Sequence, residues 1–167
     1  MKKLLLAAII SLTTISSVAL AEIKVGIILG FTGPIETLTP AMRDSAKLAF
    51  AEVSASGALL GGETITPLIA DSTCVDSDAA VAAAELIVSD GAVAIMGADC
   101  SGVTGAIVTN VAVPNGITMV SPSATSPGLT SLADNGLFFR TAPSDAKGGQ
   151  VLAQVALDRG LTSVAVT

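Results

Sequence analysis

Short aliphatic segments alternate along this chain with segments of helical periodicity, and this alternation restricts the possible folds more than any other feature. The aliphatic segments predict strands over residues 23–29, 64–70, 92–96 and 117–120. A further extended piece, a helix and a last strand are predicted over residues 137–141, 145–159 and 161–167. Aliphatic strands separated by helices indicate an α/β fold with a doubly wound, mostly parallel sheet and helices on both faces.

The first helix is predicted to begin at Thr39, which would cap it, with Pro40 at its first position. Its spacing of apolar residues predicts one buried face. That face consists of Met42, Ala46, Ala49, Phe50 and Val53.

The other helices also carry boundary signals. Asp76 or Ser77 is predicted to cap the second helix. The third helix is predicted to start near Ser101 and to end at Asn115-Gly116, and Ser144 is predicted to cap the last helix.

The N-terminus has the pattern of a secretory signal peptide. Lys2 and Lys3 precede an apolar run, and Ala19-Leu20-Ala21 is a small-residue cleavage motif. Serine and threonine residues interrupt the run over 11–17, which makes a transmembrane anchor the weaker alternative. Residues 1–21 are therefore predicted to be a signal peptide, cleaved after Ala21.

The remaining 22–167 segment is acidic and contains no histidine. It carries six basic and fourteen acidic side chains, a net charge of −8. The basic residues are scattered, which argues against nucleic acid as a partner. The absence of histidine removes the commonest general base and the commonest metal ligand.

Two cysteines remain in that segment, Cys74 and Cys100. In an exported protein such a pair is a disulfide candidate. Two buried thiols are the alternative.

Two hydroxyl-rich loops follow predicted strands: residues 98–104 and residues 121–127. Together with residues 30–34 and 71–74 they are expected at one edge of the sheet, where ligands of open α/β folds bind. Ser101, Ser123 and Thr125 offer hydroxyl and backbone groups that suit the carboxylate and ammonium of an amino acid. The alternatives are an ordinary helix cap at Ser101 and a Pro/Ser loop without a special role.

Sequence motifs of catalysis are missing. The chain contains no G-x-G-x-x-G, P-loop or G-x-S-x-G motif. Asp71, Asp76, Asp78 and Asp99 have no recognisable metal-ligand spacing, and those near the proposed edge are interpreted as capping or solvated residues. No catalytic residue, metal or cofactor is predicted.

Several segments resemble the N-terminal lobe of the periplasmic leucine/isoleucine/valine-binding proteins, the substrate-binding subunits of branched-chain amino-acid ABC importers. They are residues 23–34, 71–76, 95–101 and, most specifically, the ITMVSPSATSPGLT segment of residues 117–130. The resemblance implies a type I periplasmic binding fold, a disulfide between Cys74 and Cys100, and contacts from Ser101, Ser123 and Thr125 to the α-amino and α-carboxylate groups of an amino acid.

The resemblance also implies a monomeric periplasmic protein that delivers its ligand to an inner-membrane permease. Residues 22–167 would be an incomplete N-terminal lobe without its second lobe, in agreement with a chain that stops within a predicted strand. Leu38 stands where relatives often have tyrosine, which leaves the preferred ligand side chain open. A sensor or receptor domain for amides, urea or another small polar ligand is the alternative function.

Overall fold

A computed structural model describes residues 22–165 of the 167-residue chain. The predicted signal peptide and residues 166–167 lie outside the described residues. The strands of the described part are β1 (Glu22–Leu29), β2 (Thr64–Asp71), β3 (Ala94–Gly97), β4 (Thr118–Ser121) and β5 (Phe138–Arg140). The helices are α1 (Thr39–Ser56), α2 (Ser77–Ser89), α3 (Ser101–Ile107), α4 (Val113–Asn115) and α5 (Asp145–Asp158), with a π-helical turn (Val108–Ala112) and a 3-10 helix (Pro127–Ser131).

The strands form a single sheet in the order β2-β1-β3-β4-β5, and each neighbouring pair is parallel. Ile27 of β1 lies opposite Ile69 of β2 and Met96 of β3. The chain winds in one direction from β1 to β2 and in the other from β3 to β5, so the winding reverses beside β1. The prediction of an α/β fold with a parallel sheet is confirmed.

One face of the sheet is covered by α2 and the α3–α4 segment. Ile28, Ile95 and Met119 project from three strands into this core, where Ile87 of α2 is also buried. Gly26 lies on the same face, and a Cβ at this position would overlap Ile87. The missing side chain leaves space for the end of the Ile87 side chain against β1. The buried aliphatic side chains contribute about 1.5–3 kcal/mol each.

The opposite face carries α1, which contacts β1 and β2. Ile27 and Leu29 alternate to this face and are fully buried. The predicted apolar side of α1 is only partly covered, because Ala49 and Val53 are exposed. Helices on both faces confirm the predicted layer arrangement.

The start of α1 differs from the prediction. Leu38 occupies the N-cap position without a side-chain cap, so the prediction that Thr39 caps the helix is wrong. Thr39 is instead fully buried, and its hydroxyl donates a 3.0 Å hydrogen bond to the carbonyl of Gly30. The Thr39 hydroxyl thus attaches the first turn of α1 to the end of β1.

The boundaries of α2 and α3–α4 agree more closely with the sequence. The Asp76 carboxylate caps α2 by accepting from two first-turn N–H groups, as predicted. Cys100 is the N-cap of α3 and Ser101 is its first residue. Gly116, with φ of 66°, ends α4 where a stop was predicted. The π-helical turn within this segment was not predicted.

The last described segments lie outside the core. Ser144 caps α5 as predicted, but no side chain of α5 is buried. Residues 161–165 form no strand, so the strand predicted over 161–167 is wrong for this described portion. A strand requires a backbone partner, and within the described residues this segment pairs with none. Within residues 22–165, no helix combines the length and the apolar character needed to cross a bilayer.

A disulfide joins the loops that follow β2 and β3. Cys74 and Cys100 are bonded, with their Cα atoms 5.2 Å apart, which confirms the predicted bridge. β1 lies between β2 and β3, so the two loops lean together over its end. Gly30 lies beneath the bridge, where an added Cβ would come within 3.2 Å of the Cys74 Cβ.

We expect replacement of both cysteines by serine to lower the free energy of unfolding by about 3.5 kcal/mol, because the bridge restricts a long loop in the unfolded chain. Urea unfolding of the double variant and of the wild type, with and without reductant, measures this change. Equal stability of the oxidised wild type and the variant would contradict the expectation.

Asp71, at the end of β2, holds the loop that follows β1. Its carboxylate accepts from the N–H groups of Phe31 (2.9 Å) and Thr73 (2.8 Å) and from the Thr32 hydroxyl (2.6 Å). Partial burial acts to raise the pKa of Asp71. The hydrogen bonds from Thr32, Thr73 and Phe31 outweigh it and keep the pKa below its ordinary value.

A depressed pKa in the folded state means that the ionised Asp71 adds stability above its unfolded pKa of about 3.9. This contribution is lost as the pH falls through the folded pKa. We therefore expect Asp71→Asn to destabilise the protein at pH 7, with the difference from wild type shrinking as the pH falls towards about 2. Thermal unfolding across this range tests the expectation, with Glu52→Gln on the exposed side of α1 as the control. A difference that does not change with pH would contradict it.

Candidate functional site

The predicted site loops lie at one edge of the sheet. Residues 30–34, 71–74, 98–104 and 121–127 begin at the carboxyl ends of β1 to β4, and these ends coincide because the strands are parallel. The reversal of winding beside β1 is the position where open α/β sheets form a ligand crevice.

Asp99 lies at the centre of the edge and is only 3% exposed. Its carboxylate accepts from the N–H of Gly30 (2.7 Å), the hydroxyl of Ser72 (3.1 Å) and the N–H of Cys100 (2.9 Å). The interpretation of Asp99 as a solvated or capping residue is therefore wrong. It is a buried acceptor that joins the ends of β1, β2 and β3, and its three donors offset the cost of burial.

The loop after β4 is attached to the same segment through its serines. Ser121 is fully buried, donates to the Ala98 carbonyl and accepts from the N–H of Ala124 at 3.0 Å. Ser123 donates from its hydroxyl to the carbonyl of Asp99 at 3.0 Å. The loops after β3 and β4 therefore form one hydrogen-bonded unit.

Ser101 links to this unit from the first turn of α3. Its Oγ accepts a 3.0 Å hydrogen bond from the N–H of Ser126, the neighbour of Thr125. Ser101, Ser123 and Thr125 are half-buried, and the two loops that carry them are joined directly. The structure thus brings together the three residues singled out by the sequence.

The three hydroxyl groups differ in whether they can still donate a hydrogen bond to a ligand. A hydroxyl has one proton to donate and two lone pairs to accept. The Ser123 hydroxyl donates its hydrogen bond to the backbone carbonyl of Asp99, and the Thr125 hydroxyl donates to the carboxylate of Asp145 (2.9 Å). Ser101 only accepts in its contact with Ser126, so its proton remains to donate. No hydrogen bond within residues 22–165 uses the Thr125 N–H.

Arg140, at the end of the edge strand β5, contacts the loop after β4. Its guanidinium donates to the carbonyls of Ala124 (3.2 Å) and Ser126 (2.8 Å), on either side of Thr125, and to the Thr130 hydroxyl (2.6 Å). The fixed fork of an arginine suits this contact with several acceptors. Sequence reasoning missed Arg140, because a single arginine within a short extended segment does not identify its acceptors.

Asp145 is a second residue that the sequence did not identify. It is the first residue of α5, and its N–H donates to the Thr125 carbonyl at 3.0 Å while its carboxylate accepts from the Thr125 hydroxyl. An acidic residue after a capping serine is common at the start of a helix, so the local pattern indicates a helix and nothing more.

The arrangement provides donors and acceptors for a small charged molecule. The Ser101 hydroxyl and the Thr125 N–H can donate to a carboxylate. The oxygens of Ser123, Thr125 and Asp145 can accept from an ammonium group. In the described part of the chain, no cluster of three or more histidine, cysteine, aspartate or glutamate residues could hold a metal ion.

Comparison with known proteins gives a consistent result. Residues 22–167 match the family model described as periplasmic binding protein. The chain is 30% identical over 155 residues to the Leu/Ile/Val-binding protein BraC3 of Rhizobium johnstonii, covering 93% of this chain and 41% of that protein. It is 33% identical over 158 residues to the Leu/Ile/Val-binding protein of Escherichia coli K12, covering 94% and 42%. The chain thus spans less than half the length of these relatives.

Solved structures with the same fold include proteins with two kinds of ligand. The branched-chain amino acid transporter substrate binding protein LivJ of Streptococcus pneumoniae, in complex with isoleucine, has a TM-score of 0.66 and 29% identity, covering 75% of this chain and 35% of that one. A solute binding protein of R. palustris, in complex with benzoate, has a TM-score of 0.70 and 26% identity, covering 84% and 38%. From the family match and this shared fold, the chain belongs to the periplasmic binding protein family.

Proposed function

We propose that this chain is the substrate-binding part of an ABC importer that captures a branched-chain or related amino acid. The α-carboxylate would bind to Ser101 and to the backbone of Thr125. The α-ammonium would bind to the hydroxyl oxygens of Ser123 and Thr125. The protein would bind its ligand without converting it.

The joined pair of hydroxyl loops is the observation that carries this proposal. Ser101 contacts the N–H of Ser126, and Ser123 contacts the carbonyl of Asp99, so each loop holds the other. Preorganised polar groups bind a small ligand with less loss of conformational entropy than mobile ones. The relatives named as Leu/Ile/Val-binding proteins support an amino acid as the ligand.

The second part of the proposal concerns the whole protein. Residues 22–167 would belong to the N-terminal lobe, as an incomplete part of it, and a second lobe would close over the ligand by a hinge motion. Closure would give the liganded protein a distinct surface that an inner-membrane permease recognises. Export to the periplasm would follow from the signal peptide of residues 1–21, with cleavage after Ala21.

An aromatic carboxylate is a second candidate ligand. The R. palustris neighbour was solved in complex with benzoate, which carries a carboxylate and no ammonium. Leu38, which stands where relatives often have tyrosine, is 59% exposed at the start of α1, and the ligand side chain is left open by this difference. The two candidate ligands share a carboxylate and differ in the ammonium group, which only the amino acid carries. Binding assays with both kinds of ligand decide between them.

We expect the full-length mature protein to bind L-leucine or a related amino acid with micromolar or tighter affinity in a calorimetric titration. Ser101→Ala and Thr125→Ala should each weaken binding by about 1–3 kcal/mol, because each removes a polar partner of the charged ligand. Ser89→Ala, at the exposed end of α2, is the matched control and should bind as the wild type does.

Thermal unfolding of each variant separates lost affinity from lost structure. If Ser101→Ala and Thr125→Ala both bind like the wild type, the site assignment is wrong. If the wild type releases no heat with any amino acid or carboxylate tested, the proposed function itself is wrong.

A further inference from the structure

The chain contains three asparagines, and two of them, Asn115 and Asn135, precede a glycine. The side chain of an asparagine can react with the backbone nitrogen of the next residue, which makes asparagine a chemically labile residue. Glycine favours this reaction, because it has no Cβ to hinder the approach and its backbone adapts readily. The two Asn-Gly pairs share this intrinsic reactivity, so the surrounding structure decides which of them reacts.

Asn135 lies in an exposed turn before β5. Asn135 and Gly136 both have a positive φ, 53° and 74°, and the N–H of Leu137 donates to the Asp134 carbonyl at 2.9 Å. A type I′ turn has these features and favours Asn-Gly at its two central positions. Within residues 22–165, no hydrogen bond engages the side-chain amide of Asn135, and both central residues are exposed. The amide that would react is therefore unrestrained.

The attacking nitrogen belongs to the same surface turn. The Gly136 N–H donates to the Asp134 carboxylate at 2.9 Å in an exposed contact. This contact and the hydrogen bond that closes the turn must open before the nitrogen reaches Cγ of Asn135. Exposed turns open locally at a small cost in free energy, so the folded protein has access to the reactive conformation.

Asn115 has the opposite surroundings. It is the last residue of α4, and its Nδ2 donates to the Val111 carbonyl at 2.8 Å. The N–H of Gly116 donates to the Val113 carbonyl at 3.3 Å, and the following Ile117 is buried. The side-chain amide and the attacking nitrogen are both engaged at the helix end. A reaction at Asn115 therefore requires the end of α4 to unfold.

We propose that Asn135 is a site of spontaneous deamidation in the folded protein, and that Asn115 is protected from it. The Gly136 nitrogen attacks Cγ of Asn135 and forms a cyclic imide. The bond between Cγ and Nδ2 breaks, and ammonia leaves with the proton that the Gly136 nitrogen loses. Solvent water then opens the imide at either carbonyl and gives aspartate or isoaspartate. This inference does not depend on the proposed function.

The test incubates the full-length mature protein at mildly alkaline pH, with and without urea, and follows each asparagine-containing peptide by mass spectrometry. Deamidation replaces an amide by a carboxylic acid and raises the peptide mass, whereas isomerisation of Asp90 before Gly91 does not. In urea, Asn115 and Asn135 should react at comparable rates. In the folded protein, Asn115 should react at least about fivefold more slowly, because its side-chain hydrogen bond and the helix end must open first.

The wild type alone can overturn the inference. It is wrong if folded protein deamidates at Asn115 as fast as at Asn135. It is also wrong if Asn135 stays intact in the folded protein over a time in which it reacts in urea.

Two variants locate the reaction independently. Asn135→Gln should remove the mass shift of the folded protein, because glutamine would have to close a larger ring. Asn115→Gln is the matched control and should leave the rate at Asn135 unchanged. A mass shift of wild-type size in folded Asn135→Gln would assign the reaction to another residue and contradict the proposal.

Discussion

The buried carboxylate of Asp99 is the interaction on which the edge with the candidate site depends. An uncompensated charge in a protein interior is costly, so Asp99 must keep its donors. These donors come from the ends of β1, β2 and β3, through Gly30, Ser72 and Cys100. The carbonyl of the same residue accepts from Ser123 in the loop after β4. One residue thus fixes the relative positions of four strand ends.

The remaining connections act around this centre. The disulfide covers the end of β1, Asp71 holds the first loop, and Arg140 supports the loop after β4 from outside. The result is an edge whose polar groups are already oriented by their own hydrogen bonds. A chain without histidine, and with few aromatic side chains, thus presents an ordered polar surface at the candidate site.

Much of the fold could be predicted from the sequence, because it rests on local patterns. Aliphatic runs and helix caps located β1 to β4, α2 and α5. The prediction for Thr39 was wrong because its hydroxyl donates to the carbonyl of Gly30, at the end of β1, and does not cap the helix. The segment 161–165 has strand propensity but no pairing partner in the described residues, and propensity alone does not form a strand.

The site was predictable to the extent that strand order determines it. Parallel strands bring their carboxyl ends together, so the neighbourhood of Ser101 and Ser123 followed from the alternation of elements. The burial of Asp99 and the pairing of Asp145 with Thr125 did not follow. The hydrogen bonds of Asp99 with Gly30 and Ser72, and that of Asp145 with Thr125, join residues at least 20 positions apart. Such contacts depend on side-chain geometry, which no sequence periodicity encodes.

The central claim is that the two hydrogen-bonded loops, residues 98–104 and 121–127, bind the carboxylate and ammonium groups of one small ligand. A crystal structure of the full-length protein grown with L-leucine tests this most directly. The account predicts the ligand carboxylate within hydrogen-bonding distance of the Ser101 hydroxyl and the Thr125 N–H, and the ammonium group beside the Thr125 hydroxyl. A ligand bound away from residues 98–104 and 121–127, with these loops unchanged and in contact with solvent, would contradict it.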